Sequence, residues 1–366
     1  MRNRVERSGG AFFSDVRFRA QNPCAMVVCV LLASLCLGSC AQEASISFSA
    51  MDTVVTVRSF GRRPGAANEC LRERVLQIEE EISVTNESGE VYRLNHSDAR
   101  RADVSEDTAR LMAFSLKMAE ETDGAFNPCL YPITSAWGFT TGGFRVPADS
   151  EIERLLPLVD FSKARVEGQT IFLEHGGADG GRMMVDFGAV GKGFASDEAV
   201  RILKRAGVRS AVIDFGGNVH ALGQKRGARG RQSDWLIGVA NPFSDGVACA
   251  VRVRDKAVVT SGGYERFFED ECGNRHSHIF DGKTGKPARS GIASATVVAD
   301  SGLYADALST SLFVLGKNRA VDLWRDRRDF EMILILEENT VLVSEGLKDV
   351  FTQVAPFVAV EVVRAE

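Results

Sequence analysis

Val185-Asp186-Phe187-Gly188-Ala189-Val190-Gly191-Lys192-Gly193-Phe194-Ala195 is the stretch around which the rest of this chain can be organised. It predicts a strand near Met183–Phe187 that delivers Asp186, then a glycine turn, then a helix beginning near Phe194. The inward residues of that helix are Ala195, Ala199, Ile202, Leu203 and Ala206, and Gly207 stands where a helix-terminating glycine belongs. Glycines let backbone amides approach an anion closely, and a helix N-terminus adds a favourable dipole. Lys192 supplies a point charge. The spacing matches neither the G-x-x-x-x-G-K-[ST] loop nor the G-x-G-x-x-G fingerprint. From these residues alone, a phosphate cradle and a plain structural connector both remain open.

Outward from this centre, strands and helices mix. On the N-terminal side, Met51–Arg58 alternates as a strand, and Leu71, Val75, Ile78 and Ile82 mark an amphipathic helix over 69–82. A further helix is expected over 108–121, and an ordered loop over 125–147. On the C-terminal side, strands are expected near 211–215, 235–240, 247–253, 256–259 and 293–298, helices over 303–315 and 317–326, and strands at 332–336 and 341–344. Adjacent strands without intervening helices favour an α+β fold, with mixed or antiparallel sheets and packed helices in one compact unit, over a doubly wound sheet.

Arg2, Arg4, Arg7, Arg17 and Arg19 precede an apolar run from Ala25 to Leu37, which small residues link to Cys40. Basic, then apolar, then small is a secretory pattern, and the run is short for a permanent membrane span. Residues 1–39 are therefore expected to be a lipoprotein signal peptide. Cys40 takes the lipid, 40–50 form a tether and 51–366 the catalytic domain, anchored in the periplasm to the inner membrane. The whole chain has 44 basic and 49 acidic residues, a net charge of −5. Without residues 1–39 the balance is 39 against 47. With no dense basic patch left, nucleic-acid binding is disfavoured. Cys70, Cys129, Cys249 and Cys272 remain, widely spaced and without a Cys-x-x-Cys pair, so they read as structural or free, with any pairing open.

Three further segments carry candidate chemistry. In Ala305-Asp306-Ala307-Leu308-Ser309-Thr310, Asp306 and Thr310 stand four apart on one helical face, and two hard oxygens there suit Mg²⁺ beside a phosphate substrate. Within Thr260–Arg266 and His276–Gly285, His276 and His278 alternate, as on one strand face, and an imidazole near phosphoryl chemistry can take a proton. Asp214-Phe215-Gly216-Gly217-Asn218 reads as a tight turn after a strand. Each segment alone is compatible with a purely structural role.

Taken in order, these segments resemble the ApbE-type FAD:protein FMN transferases over nearly all of the chain after Cys40. The motifs that carry the resemblance are Met51-Asp52-Thr53, Arg93-Leu94-Asn95, Gly124-Ala125-Phe126-Asn127-Pro128 with Trp137-Gly138, Asp186 to Gly193, Gly216-Gly217-Asn218, Thr260-Ser261-Gly262, His278-Ile279 and Ala305-Asp306-Ala307. The resemblance implies Mg²⁺ held by Asp306, Thr310 and the Ala189 carbonyl. It implies an FAD site of Met51, Asn86, Ala125, Phe126, Asn127, Asp186, Lys192 and His278. It also implies transfer of FMN to a threonine of an exported flavoprotein with release of AMP, or hydrolysis of FAD to FMN and AMP. Catalytic roles would fall to His278, Asp306 and Lys192. Some positions depart from the family pattern. Asp52 and Asn127 replace a glycine and an acid, Ser309 stands where some relatives have a further acid, and Asn86 lies near where many carry an aromatic ring. The competing expectation is an FAD-binding lipoprotein that stores flavin without catalysis.

Overall fold

The computed structural model describes residues 42–174, 181–226 and 231–366. The expected signal peptide and Cys40 lie outside them. Nine strands form the main sheet, in which neighbours in space are also successive along the chain. They are β1 (Gln42–Ala50), β2 (Thr53–Gly61), β3 (Ser210–Phe215), β4 (Asn218–Leu222), β5 (Lys256–Gly262), β6 (Ile292–Ala299), β7 (Glu331–Leu336), β8 (Thr340–Ser344) and β9 (Ala359–Val363). Every pairing is antiparallel except that of β8 with β9.

Both faces of the central strands are covered, which explains their nearly unbroken apolar runs. Alternate side chains point to opposite faces. Thus Ala257, Val259, Val297 and Leu334 join the core under the long helices. Val258, Val298, Ile333 and Ile335 meet the small sheet of Trp235–Ala240, Val247–Val253 and Phe351–Gln353 instead. The helical layer contains α1 (Pro64–Ile82), α6 (Gly191–Arg205) and α7 (Gly302–Arg327). Between α1 and α6 the chain inserts α2 (Glu90–His96), α3 (Glu106–Glu121), α4 (Tyr131–Ala136) and α5 (Asp149–Leu155), with a small sheet of Arg101–Asp103, Ala164–Glu167 and Thr170–Leu173.

Four local expectations change. The expected tether is strand β1, with Ile46 and Phe48 packed on the core and all nine residues paired to β2. β2 starts at Thr53, because Met51 and Asp52 (φ 53° and 58°) form a two-residue hairpin loop, which needs positive φ at both positions. Met183–Phe187 is extended but not a strand: Val185 is held at both ends by the Asn95 side-chain amide, with both hydrogen bonds at 2.8 Å. By contrast, the two helices expected at 303–315 and 317–326 both form and meet at the non-helical Gly316 (φ 77°), labelled together as α7. In the expected loop 125–147, α4 forms as well. Among the described residues Cys70, Cys129, Cys249 and Cys272 form no disulfide, and burial pushes the thiols of Cys129 and Cys249 up to about 12.

Candidate active site

Two glycines let α6 and α7 cross in near contact. A Cβ on Gly193 would come 2.4 Å from the Gly302 carbonyl oxygen and 2.7 Å from Asp306 Cβ, and one on Gly302 would come 2.0 Å from Ser196 Oγ. Asp197 then clasps the start of α7, accepting from Ser301 Oγ and the Gly302 N–H at 2.6 Å and from the Leu303 N–H at 3.1 Å. The close crossing brings the Gly193 N–H to Asp306 Oδ2 at 2.8 Å. Residues 113 positions apart thus meet at the first turn of α6, just after the glycine turn.

Asp306 is only 4% exposed. Burial raises its carboxyl to about 6, against the opposing pull of Lys192, the Gly193 N–H and the nearby Asn218 amide. The Lys192 ammonium also acts on Glu265, whose carboxyl is raised by desolvation, and on His278. Its charge is therefore felt by all three. Thr310 Oγ1 is 3.2 Å from Ser261 Oγ, which also meets Ser309 Oγ at 2.8 Å. Ser309 further donates to the Asp306 carbonyl at 2.9 Å, so its hydroxyl is engaged within the protein.

His278 is brought in by its backbone. Its N–H and Nδ1 both meet the Arg266 carbonyl, at 3.1 and 3.0 Å. A carbonyl can only accept, so Nδ1 carries the proton and Nε2 keeps its lone pair. Desolvation pulls this imidazole down to about 4; the bond to the Arg266 carbonyl opposes it and the charges of Arg266 and Lys192 add to it, so the ring is neutral at pH 7. The Arg266 side chain pairs with Asp52 at 3.3 Å and lowers the Asp186 carboxyl, which burial raises. Asp186 Oδ1 accepts from the Gly188 N–H at 2.8 Å. A chain of neighbours thus links the Met51-Asp52 loop, Arg266, Asp186, His278, Lys192 and Asp306. His276 is separate: it is buried against Trp137 and Phe268, with Nε2 2.9 Å from Asp270.

Other expected residues are placed with different freedom. Ala189 lies in the turn immediately before α6, four positions ahead of Gly193. The Met51 N–H is bound by Glu79 at 2.6 Å. Ala125 and Phe126 are buried, and the Asn127 amide is spent on the Val159 carbonyl and the Cys129 N–H, both at 2.8 Å. Asn86 sits exposed in the turn leaving α1, its carbonyl side turned to Ser88. That turn follows Ile82, whose Cδ1 would be 2.7 Å from a Cβ on Gly191. Glu265, Arg266, Ser261 and Asn218 were visible only as members of quoted motifs, with no sign of which side chain would face Asp306.

The donor set suits a magnesium ion. A buried carboxylate and a hydroxyl are hard oxygens, and Mg²⁺ takes few protein ligands when phosphate oxygens complete its shell. Among the described residues, no three His, Cys, Asp or Glu side chains cluster as an all-protein metal site.

Residues 51–334 match the ApbE family. The chain belongs to that family. The FAD:protein FMN transferase of Treponema pallidum is 33% identical over 87% of this chain and 93% of its own length. One from Klebsiella pneumoniae is 30% identical over 76% and 85%. The crystal structure of the ApbE protein of Thermotoga maritima superposes with a TM-score of 0.76 at 32% identity, covering 84% of this chain and 99% of that one. The flavin transferase ApbE of Vibrio cholerae shares the fold, with a TM-score of 0.74 at 23% identity over 85% and 99%. The ApbE match begins at Met51 in the β1–β2 loop and ends in β7, so it takes in the whole of the cluster around Asp306.

Proposed function

We propose that this chain is an FAD:protein FMN transferase, cleaving the FAD phosphoanhydride with Mg²⁺ and passing FMN to a threonine hydroxyl of an exported protein or to water. The observation that carries the reading is the convergence of Asp306, Lys192, His278 and the N-terminus of α6 in a chain whose relatives bear that name. A magnesium ion held by Asp306, Thr310 and the Ala189 carbonyl would neutralise charge on the bridging phosphates. Lys192 and the dipole at the N-terminus of α6 hold the remaining negative charge. The neutral His278, with Nε2 free, accepts the proton of the incoming hydroxyl. Its low basicity in the protein alone rises once an anionic phosphate lies beside it. Asp186 and the Met51 loop, linked to this cluster through Arg266, would contact the FAD. Export and a lipid on Cys40 belong to this reading, since an exported acceptor must share its compartment.

The test is to incubate the chain with FAD, with and without Mg²⁺, and follow AMP and FMN. AMP that appears only with the metal, and is lost in Asp306→Ala, supports the reading. Intact FAD under all conditions, including with a threonine-bearing flavoprotein, would turn it toward a carrier. His278→Ala is expected to lower the rate by about a hundredfold or more, and an unchanged rate removes its role as base. At the turn beside α6, a ring in place of Asn86 could stack on the isoalloxazine. Asn86→Tyr is therefore expected to retain FAD more tightly and hydrolyse it more slowly, and no change in either would place residue 86 outside the flavin site.

A further inference from the structure

Asn218 opens β4 directly after Gly216 and Gly217, both at positive φ (66° and 97°). A Cβ on Gly216 would lie 2.1 Å from Thr53 Oγ1, and Asp214 Oδ1 accepts from the Gly217 N–H at 3.0 Å. This turn has little choice of path. Val219 and Ala221 face the small sheet, so alternation turns Asn218 and His220 toward the helices. There Asn218 is 1% exposed; its amide lies close enough to Asp306 to lower the carboxyl as a side-chain hydrogen bond does, though Nδ2 falls short of full hydrogen-bond geometry, and its Oδ1 has no partner among the described residues. An unmet buried polar atom is costly, and native folds rarely keep one without a reason. The groups around it are engaged: Gly193 N–H with Asp306, and Ser261 with Ser309 and Thr310.

We infer that Asn218 is a positioning residue of the cation site, its Nδ2 steadying the Asp306 carboxylate and its Oδ1 accepting from a water in the cation's hydration shell. The inference rests on the magnesium reading of Asp306. Mg²⁺ gives up its waters reluctantly, so several of them need acceptors. An amide offers one donor side and one acceptor side, matching a carboxylate and a water at once. Lys192, with donors only, cannot accept from a water.

The test is Mn²⁺ binding to the full chain followed by electron paramagnetic resonance without FAD, with FAD affinity without metal and the melting temperature read alongside. Wild type binds Mn²⁺ and Asp306→Ala does not. Asn218→Ala weakens Mn²⁺ binding about 10- to 100-fold, with metal-free FAD affinity unchanged. Asn218→Asp, which keeps the acceptor oxygen, retains Mn²⁺ binding, and it decides the matter if the alanine variant does not fold. Wild-type Mn²⁺ affinity in Asn218→Ala, or loss of Mn²⁺ and FAD affinity by the same factor, overturns the role of Asn218 while leaving the cation site in place. Equal Mn²⁺ binding in wild type and Asp306→Ala overturns the magnesium reading itself, and the inference with it.

Discussion

Burial leaves Asp306 with a carboxyl at about 6 in the folded chain, against an ordinary 3.8. The folded state therefore holds more protons than the unfolded one between those two values. Stability accordingly falls as pH rises through that window, and the full penalty is present above pH 6. At 1.36 kcal/mol per unit of pKa, it amounts to about 3 kcal/mol. Asp306→Asn keeps an acceptor for the Gly193 N–H and removes the charge. Without divalent metal it is expected to raise the melting temperature by a few degrees at pH 7.5 and hardly at all at pH 4. An equal shift at both pH values would show that charge burial is not the cause. His278 works in the opposite direction. Its imidazole, pulled down to about 4, stays neutral while the unfolded chain takes up a proton near 6.5. Stability from this group is lost as pH falls from 6.5 toward 4, and His278→Gln should flatten that part of the acid limb in a thermal melt.

The decisive feature among the elements is the contact of α6 with α7. Gly193→Ala puts a methyl group against the Gly302 carbonyl and the Asp306 Cβ, so the helices must separate. Overpacking of this kind costs about 1–3 kcal/mol. The expected result is a lower melting temperature together with weakened Mn²⁺ binding, because the Gly193 N–H leaves Asp306. Gly65→Ala is the contrasting substitution. It lies in α1, where the nearest atom to a new Cβ is Ala44 Cβ at 4.0 Å, and helix propensity favours alanine by up to about 1 kcal/mol. If both variants melt alike, close approach is not what requires glycine at 193. The long helices α1, α3, α6 and α7 were legible from periodicity, while the short α2, α4 and α5, too brief to repeat a stripe, were not. In α6, Ala195, Ala199 and Leu203 repeat on one buried stripe. The Met183–Phe187 segment misled, because its apolar pattern is that of a strand while its partner is the side chain of Asn95.

On the scale of the molecule, the sheet order follows the chain order, so an α+β fold with mainly antiparallel pairing could be anticipated from strand succession. β1 could not, because serines and alanines alternate there with only Ile46 and Phe48, and its pairing with β2 supplies what local propensity lacks. A chain beginning at Met51 instead of Gln42 loses nine paired residues and exposes the edge of β2. It is expected to melt several degrees lower and to aggregate, since bare edges invite pairing. An unchanged melting curve would restore the tether. By itself, the sequence determined the amphipathic helices, the two-faced central strands and the glycines at their turns, because these follow from the period and backbone freedom of neighbouring residues. Only the tertiary structure decided that Gly193 touches Asp306, that the charge of Lys192 reaches Asp306, Glu265 and His278, and that the Asn218 Oδ1 is buried beside them without a partner among the described residues. Those contacts join residues far apart in the chain, and their distances depend on how closely two helix backbones can approach.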